Sequence, residues 1–155
     1  DSCCRKHLTH TEGQALQKRW RGQLYCTSYS TFARGVLIWI KPGAPFQADK
    51  SQIDLTGRYV VLTGWLAGRE ITLISIYAPN VEQGAFLGTL SNKLADYLVR
   101  PLVVGGDINC VADTGLDRSH PPLRNSPAHR MARNFTEWQL RWNLGDVWRR
   151  LHPQE

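Results

Sequence analysis

The sequence predicts a layered α/β fold, and we interpret residues 1–155 as a single domain. Segments of strand length that are rich in β-branched and aromatic residues recur along the chain. Between them lie segments whose apolar residues repeat at helical spacing. Strands interleaved with helices favour layers of sheet and helix over a helical bundle or a sandwich of sheets alone.

Four segments in the first half have strand composition. The first two should pair with each other, and the second of them stops at Pro42 and Gly43. The other two carry β-branched residues on both faces, so we expect them to be central strands, joined as a hairpin through 67–69. In chain order, the four segments are 24–29, 35–40, 58–66 and 70–77.

Three segments have helical character. The first is amphipathic, with Thr11 as a candidate cap; the second has an apolar residue every four positions; the third is rich in alanine and aromatic residues. Pro101 should end the second helix, and three prolines mark 118–127 as a loop. The three predicted helices are 11–20, 82–99 and 128–142.

The sharpest candidate for chemistry follows a short apolar strand at 102–104. Two glycines lead from that strand into Asp107 and Asn109, and glycine permits a tight bend or a close approach. If strand alternation continues, the carboxylate and the amide share one face. They could then orient water and hold a phosphate oxygen or a hydrated Mg²⁺. The alternative is an ordinary turn, since Gly, Asp and Asn are turn residues.

A second strand, ending at Tyr77, also stops in polar residues. Tyr77 could be a core aromatic whose hydroxyl reaches the rim, and Asn80 could cap the helix that begins at Glu82. These structural roles do not exclude function. Two strand ends with hydrogen-bonding side chains on a basic domain indicate a phosphate site at one edge of a sheet.

The net charge of the chain and the length of its apolar runs limit the classes of binding partner that we expect. The chain has 19 Lys and Arg against 13 Asp and Glu, a net charge of +6, which favours polyanions such as nucleic acid. No apolar run is long enough to cross a bilayer. Six arginines in the last third could contact a DNA backbone or could form a solvated helix face. They are Arg124, Arg130, Arg133, Arg141, Arg149 and Arg150.

The setting we expect is intracellular. The four cysteines form no C-x-x-C pair, which favours a reduced compartment. The first ten residues are polar and basic where a secretory signal would be apolar. Because the chain does not begin with Met and its one methionine is Met131, we interpret it as a fragment of a longer product.

Five motifs in sequence resemble the endonuclease domain of LINE-type non-LTR retrotransposon polyproteins, part of the endonuclease/exonuclease/phosphatase superfamily. Their order and spacing match over nearly the whole chain. The motifs are Gly-Arg-Tyr-Val at 57–60, Ile-Tyr-Ala-Pro-Asn at 76–80, the run at 101–109, Leu-Asp-Arg-Ser at 116–119, and Asp-Val-Trp-Arg at 146–149 with His152-Pro153.

The resemblance implies a four-layer α/β/β/α sandwich, present here in part, and Mg²⁺-dependent cleavage of DNA phosphodiesters with access to the nucleus. By position, Asp107 resembles the carboxylate that orients the attacking water, and Asn109 the amide that helps hold the phosphate. Tyr77 resembles the tyrosine that contacts the scissile phosphate, and Asn80 the supporting asparagine of the same motif.

At one position the side chain has the opposite charge to that of the family pattern. Where the family has a metal-binding glutamate, this chain has Arg5, and a cation there repels Mg²⁺. Family motifs are also missing beyond both ends, so we expect an incomplete domain. We therefore expect hydrolysis to be absent or impaired, and the alternative is a degenerate, non-catalytic remnant with at most weak nucleic-acid binding.

The first residues have a further interpretation. Plausible codons for the family segment Leu-Gln-Glu-Thr-His give Cys-Arg-Lys-His in a shifted frame, which matches residues 4–7. We hypothesise that residues 1–7 are out-of-frame or non-native sequence.

Overall fold

A computed structural model of the chain describes residues 10–29, 35–97, 100–110 and 126–153. These residues form two compact units. The first unit takes the residues up to Tyr77 together with 96–107, and the second takes 78–95 and the residues from 108 onward. Arg5 with the rest of 1–7, and residues 118–125 of the loop predicted over 118–127, lie outside the described residues.

Among its described residues, the first unit contains one α-helix and two sheets. Strands β1 and β2 form an antiparallel pair, as predicted, and the other four form a sheet of order β3-β4-β5-β6. In that sheet β5 and β6 run parallel, and the other neighbours are antiparallel. The elements are α1 (His10–Arg19), β1 (Gln23–Ser28), β2 (Gly35–Ile40), β3 (Phe46–Ile53), β4 (Tyr59–Leu66), β5 (Arg69–Tyr77) and β6 (Leu102–Asp107).

The two sheets share a hydrophobic core. Ile40 of β2, Phe46 of β3 and Leu62 of β4 form its buried centre. Partly buried side chains from both sheets surround them, namely Tyr25, Ile38, Ala44, Ile71 and Leu73. The first six residues of β4 are buried, and β4 and β5 occupy the two inner positions of their sheet. The prediction that these strands are central is confirmed.

Strand β3 was not predicted, because its sequence lacks the apolar pattern of a strand. Of its eight residues only Phe46 is buried, since β3 lies at the sheet edge. Backbone pairing with β4 defines it, with an irregularity between Ala48 and Lys50. At that irregularity the Lys50 amide donates to the Thr63 hydroxyl over 3.2 Å.

Two predictions at helix boundaries are wrong. Thr11 lies inside α1 and does not cap it. The helix expected over 82–99 ends at Leu94, and Ala95–Tyr97 forms a 3-10 helix. The last turn is diverted by a tertiary contact, because the Thr72 hydroxyl of β5 donates to the Tyr97 carbonyl over 3.0 Å.

The second unit is helical. It contains α2 (Gln83–Leu94), α3 (Pro127–Arg141) and α4 (Val147–Leu151). Helix α3 agrees with the predicted 128–142 to within one residue, with Pro127 in its first turn and Ser126 accepting from the His129 amide. Helix α4 was not predicted, and Asp146 caps it. No helix among the described residues is long and apolar enough to cross a membrane.

A single serine joins α2 to α3. The indole nitrogens of Trp138 and Trp142 each donate to the Ser91 hydroxyl over 2.9 Å. That hydroxyl in turn donates to the Leu87 carbonyl. Ser91 and Trp138 are buried, so water cannot readily replace these hydrogen bonds.

We expect Ser91→Ala to lower the free energy of unfolding by about 2 kcal/mol, because it leaves two indole donors without their acceptor. Urea denaturation measures the change. Thr89→Ala is the matched control, since Thr89 is exposed on the same helix, and should change stability by less than about 0.5 kcal/mol. Equal effects of the two substitutions would show that the Ser91 hydroxyl does not stabilise the fold.

Candidate functional site

The ends of β5 and β6 lie side by side in the first unit. The two strands are parallel, and their register pairs Tyr77 with Asp107. Both are the last residues of their strands. Tyr77 is half-buried and Asp107 is exposed. Neighbouring parallel strands therefore present a phenol and a carboxylate at the same edge of the sheet, as the sequence predicts for two of its four candidate residues.

Glycine at position 106 makes this strand pairing possible. Its φ is 130°, a conformation that L side chains rarely adopt. A Cβ at this position would lie 2.0 Å from the Ile76 carbonyl oxygen. The close approach at this position is made to the neighbouring strand, whereas the sequence pattern suggested an approach to a ligand.

Arg58 lies against Tyr77. Its guanidinium carbon is 5.4 Å from the centre of the Tyr77 ring, and its Nη1 donates to the Tyr77 carbonyl over 3.2 Å. The backbones also meet, because the Tyr77 amide donates to the Arg58 carbonyl over 2.7 Å. The cation is thus held beside the phenol at the strand edge.

A short turn before β4 presents Arg58. The Asp54 carboxylate accepts from the Arg58 amide over 3.0 Å and from the Thr56 hydroxyl. The Asp54 carbonyl accepts from the hydroxyl of Thr27 in β1 over 2.6 Å, which ties the turn to the smaller sheet. Sequence reasoning did not single out Arg58 as a site residue. Its signal was present in the Gly-Arg-Tyr-Val motif that carries the family resemblance.

Two side-chain amides in the second unit donate hydrogen bonds to backbone carbonyls. Asn109 donates from Nδ2 to the Ala78 carbonyl over 2.6 Å, and Gln83 donates from Nε2 to the Ile108 carbonyl. Gln83 is buried, with 1% of its surface exposed. The segment that follows β5 and the segment that follows β6 are therefore tied together within this unit.

Two expectations about the asparagines are corrected. Asn80 does not cap α2: the cap position is Glu82, whose φ is 52° and whose side chain makes no capping hydrogen bond. Strand alternation does not reach Asn109, because β6 ends at Asp107 and Asn109 has a φ of 55°. Asp107 and Asn109 therefore do not share a face by strand alternation. Asn80 itself is exposed.

The described residues do not by themselves form a metal site. They contain no group of three His, Cys, Asp or Glu side chains that could hold a metal ion. Mg²⁺ takes one or two protein carboxylates and completes its shell with water and substrate oxygens. Asp107 offers one carboxylate, and the position where the resemblance implies a second is Arg5, outside the described residues.

Some of the candidate DNA-contacting arginines have partners within α3. Arg133 forms an ion pair with Glu137 at 3.7 Å. The guanidinium carbon of Arg141 lies 5.9 Å from the centre of the Trp142 ring. Arg124 lies outside the described residues. These contacts fit a solvated helix face, and the DNA-contact alternative stays a prediction.

Burial raises the pKa of the Cys26 thiol in β1. A raised pKa keeps the thiol protonated at neutral pH, and the thiolate is the nucleophilic form. Cys26 is therefore poorly suited to covalent catalysis.

No protein-family model matches the sequence. Among solved structures, the chain is similar to the endonuclease domain of TRAS1, a telomere-specific non-LTR retrotransposon. The TM-score is 0.56 and the identity 13%, over 89% of this chain and 66% of that one. It is also similar to a humanized Danio rerio TDP2 carrying 14 mutations, with TM-score 0.51 and 15% identity over 68% of this chain and 48% of that one.

The chain has the endonuclease/exonuclease/phosphatase fold. It spans about two fifths to two thirds of the length of the structures it matches. At identities this low the likeness establishes the fold alone. Within this fold, the α/β class predicted from the sequence is confirmed.

We expect Gly106→Ala to lower the free energy of unfolding by about 2–5 kcal/mol, because the methyl group meets the Ile76 carbonyl and the backbone is strained. Gly105→Ala is the control: no atom lies within 4 Å of its Cβ position, so its effect should stay within about 1 kcal/mol. Denaturant unfolding of both variants measures the difference. A loss of stability shared equally by both variants would contradict the close approach.

Proposed function

We propose that this chain binds DNA phosphodiesters at the edge formed by the ends of β5 and β6. We further propose that it derives from a Mg²⁺-dependent endonuclease and that its own hydrolysis is impaired. The observation that carries the proposal is the strand register that pairs Tyr77 with Asp107, with Arg58 against the tyrosine. The resemblance of the sequence to retrotransposon endonucleases predicts the same chemistry and access to nuclear DNA.

Phosphate binding at this edge follows from the side chains present. A guanidinium neutralises phosphate charge and donates hydrogen bonds in a planar fork. The Tyr77 hydroxyl donates to a phosphate oxygen, and the hydrogen bond from Arg58 to the Tyr77 carbonyl keeps the cation beside it. The net charge of +6 draws a polyanion toward the protein.

Asp107 has the role of orienting water. An exposed carboxylate at the strand end accepts a hydrogen bond from a water molecule and can take its proton as the water attacks phosphorus and the P–O bond to the leaving nucleotide oxygen breaks. Asn109 and Asn80 have supporting polar roles. The contact of Asn109 with the Ala78 carbonyl makes it a residue that orders the loop after β6.

Impaired hydrolysis follows from Arg5. The transition state of phosphodiester cleavage gains negative charge, which the retrotransposon endonucleases neutralise with Mg²⁺. An arginine at the glutamate position replaces a ligand with a repelling charge. The TRAS1 domain, similar in fold, is an endonuclease, and we propose that activity as the ancestral one for this chain.

For binding, we expect Arg58→Ala to weaken the affinity for duplex DNA about tenfold, the value of one charge-assisted hydrogen bond. Arg58→Lys should retain part of the affinity. Fluorescence anisotropy with a labelled duplex measures both. Lys50→Ala, which removes an exposed cation of β3, is the control. If Arg58→Ala and Lys50→Ala bind DNA equally well, the proposed site is wrong.

For hydrolysis, we expect Arg5→Glu to raise the rate of plasmid nicking in Mg²⁺ by about a hundredfold, because it restores an electrostatic contribution to the transition state. Asp107→Ala in the same background should abolish the gain. Lys6→Glu makes the same charge change at the next residue and should leave the rate unchanged. An equal gain from Lys6→Glu would assign the effect to net charge and overturn the role of Arg5.

A further inference from the structure

A pair of stacked tryptophans lies in the first unit, away from the β5 and β6 strand ends. Trp20 follows α1 and stacks on Trp39 of β2, with ring centres 5.2 Å apart and planes at 19°. Trp39 nevertheless keeps 46% of its surface exposed. The open face of a stacked aromatic pair can receive a further planar group by stacking.

The position of Trp39 in β2 explains its exposure. Ile38 and Ile40, its neighbours in the strand, contact the core between the sheets. Because side chains alternate along a strand, Trp39 lies on the outer face of the small sheet. Trp20 shields part of the ring, so the rest of the indole is presented to solvent.

The geometry of the pair is fixed in advance. The indole nitrogen of Trp20 donates to the Ile40 carbonyl over 3.2 Å. Gly22 permits this arrangement, because a Cβ there would lie 2.1 Å from the same carbonyl oxygen and 2.7 Å from the Trp20 indole nitrogen. A ring held in this way loses little entropy when a planar ligand stacks on it.

The charged residues in the two segments that carry the tryptophans are all basic. Neither 16–29 nor 35–48 contains an Asp or Glu. The cations in these two segments are exposed, and they are Lys18, Arg19, Arg21 and Lys41. Arg21 and Lys41 directly follow Trp20 and Ile40 in the sequence, so their backbones lie beside the stacked pair. The surface therefore combines aromatic area with positive charge.

This surface lies at the opposite end of the sheets from Tyr77 and Asp107. Ile40 pairs with Gln23 in the small sheet, and the Gln23 amide donates to the Phe46 carbonyl at the start of β3. Phe46 pairs with Leu66, which pairs with Arg69 at the start of β5. Tyr77 is at the other end of β5, roughly 26 Å along the strand.

We infer that Trp39, stacked on Trp20 and flanked by Arg21 and Lys41, is a second nucleic-acid site that binds single strands. An unpaired base stacks on the indole, and the cations contact the flanking phosphates. Bases inside a duplex present only their edges, so duplex DNA cannot use the ring. This site is independent of the proposed phosphodiester site and takes a different form of nucleic acid.

The test is a titration of the full chain with a short labelled oligothymidylate, in which tryptophan fluorescence and the anisotropy of the labelled strand are both measured. The tryptophan fluorescence of the native chain should be quenched when the oligothymidylate binds. Trp39→Phe should remove most of the quenching, and Trp39→Ala, which removes the stacking surface, should weaken affinity about tenfold. The matched control is Trp148→Phe, since Trp148 is 60% exposed in the second unit, and it should change neither. Thermal melting checks that each variant folds.

Two further arms separate stacking from charge. Heparin, a polyanion without bases, should bind native chain and Trp39→Phe equally. The double variant Arg21→Ala with Lys41→Ala should reduce the salt dependence of oligothymidylate binding by about 1.4 in the log–log slope, the value of two phosphate contacts. This arm does not alter the tryptophans and so stands even if Trp39→Phe fails to fold.

Two results would overturn the inference: quenching retained in Trp39→Phe, or an unchanged salt slope in the double variant. Failure here is distinguishable from failure of the phosphodiester site, which Arg58→Ala tests with duplex DNA. Loss of oligothymidylate quenching in Arg58→Ala, with none lost in Trp39→Phe, would assign single-strand binding to the β5 and β6 edge.

Discussion

The parallel pairing of β5 with β6 is the constraint on which the candidate site depends. Register alone makes Tyr77 and Asp107 neighbours, since each is the last residue of its strand. That register requires the two backbones to meet at Gly106, where any side chain would collide with the Ile76 carbonyl. The glycine therefore belongs to the site in a structural sense, although it supplies no functional group. A site built on strand ends is more rigid than one built on loops alone.

Most strands of the first unit could be predicted from the sequence, because buried strands carry a recognisable pattern of apolar residues. β4 and β5 carry apolar residues on both faces, and the sheet places them centrally. β3 leaves no such pattern: seven of its eight residues are not buried, and its pairing depends on backbone groups common to all residues. The early end of α2 is likewise not visible in the local sequence, since the Tyr97 carbonyl accepts from the hydroxyl of Thr72 in β5, 25 positions earlier in the chain.

The candidate site divides in the same way. Tyr77 and Asp107 could be predicted because a polar residue after an apolar strand is a local signal. Arg58 was not predicted as a site residue, because its contact with Tyr77 crosses from the turn before β4 to the end of β5, and only the family motif at 57–60 singles it out. For Asn109, the prediction of a face shared with Asp107 assumed that strand alternation continues, and the positive φ of Asn109 breaks that alternation. The roles of these residues rest on family resemblance and chemistry, and the fold is consistent with both.

The most direct test of the proposed phosphodiester site is an amide chemical-shift titration of the isotopically labelled chain with a short duplex carrying a phosphorothioate linkage. We expect the largest shifts to cluster at Arg58, Tyr77, Gly106 and Asp107, and to weaken as salt is added. Shifts spread evenly over exposed cations, with none at these four residues, would contradict the claim that the paired ends of β5 and β6 form a phosphodiester site.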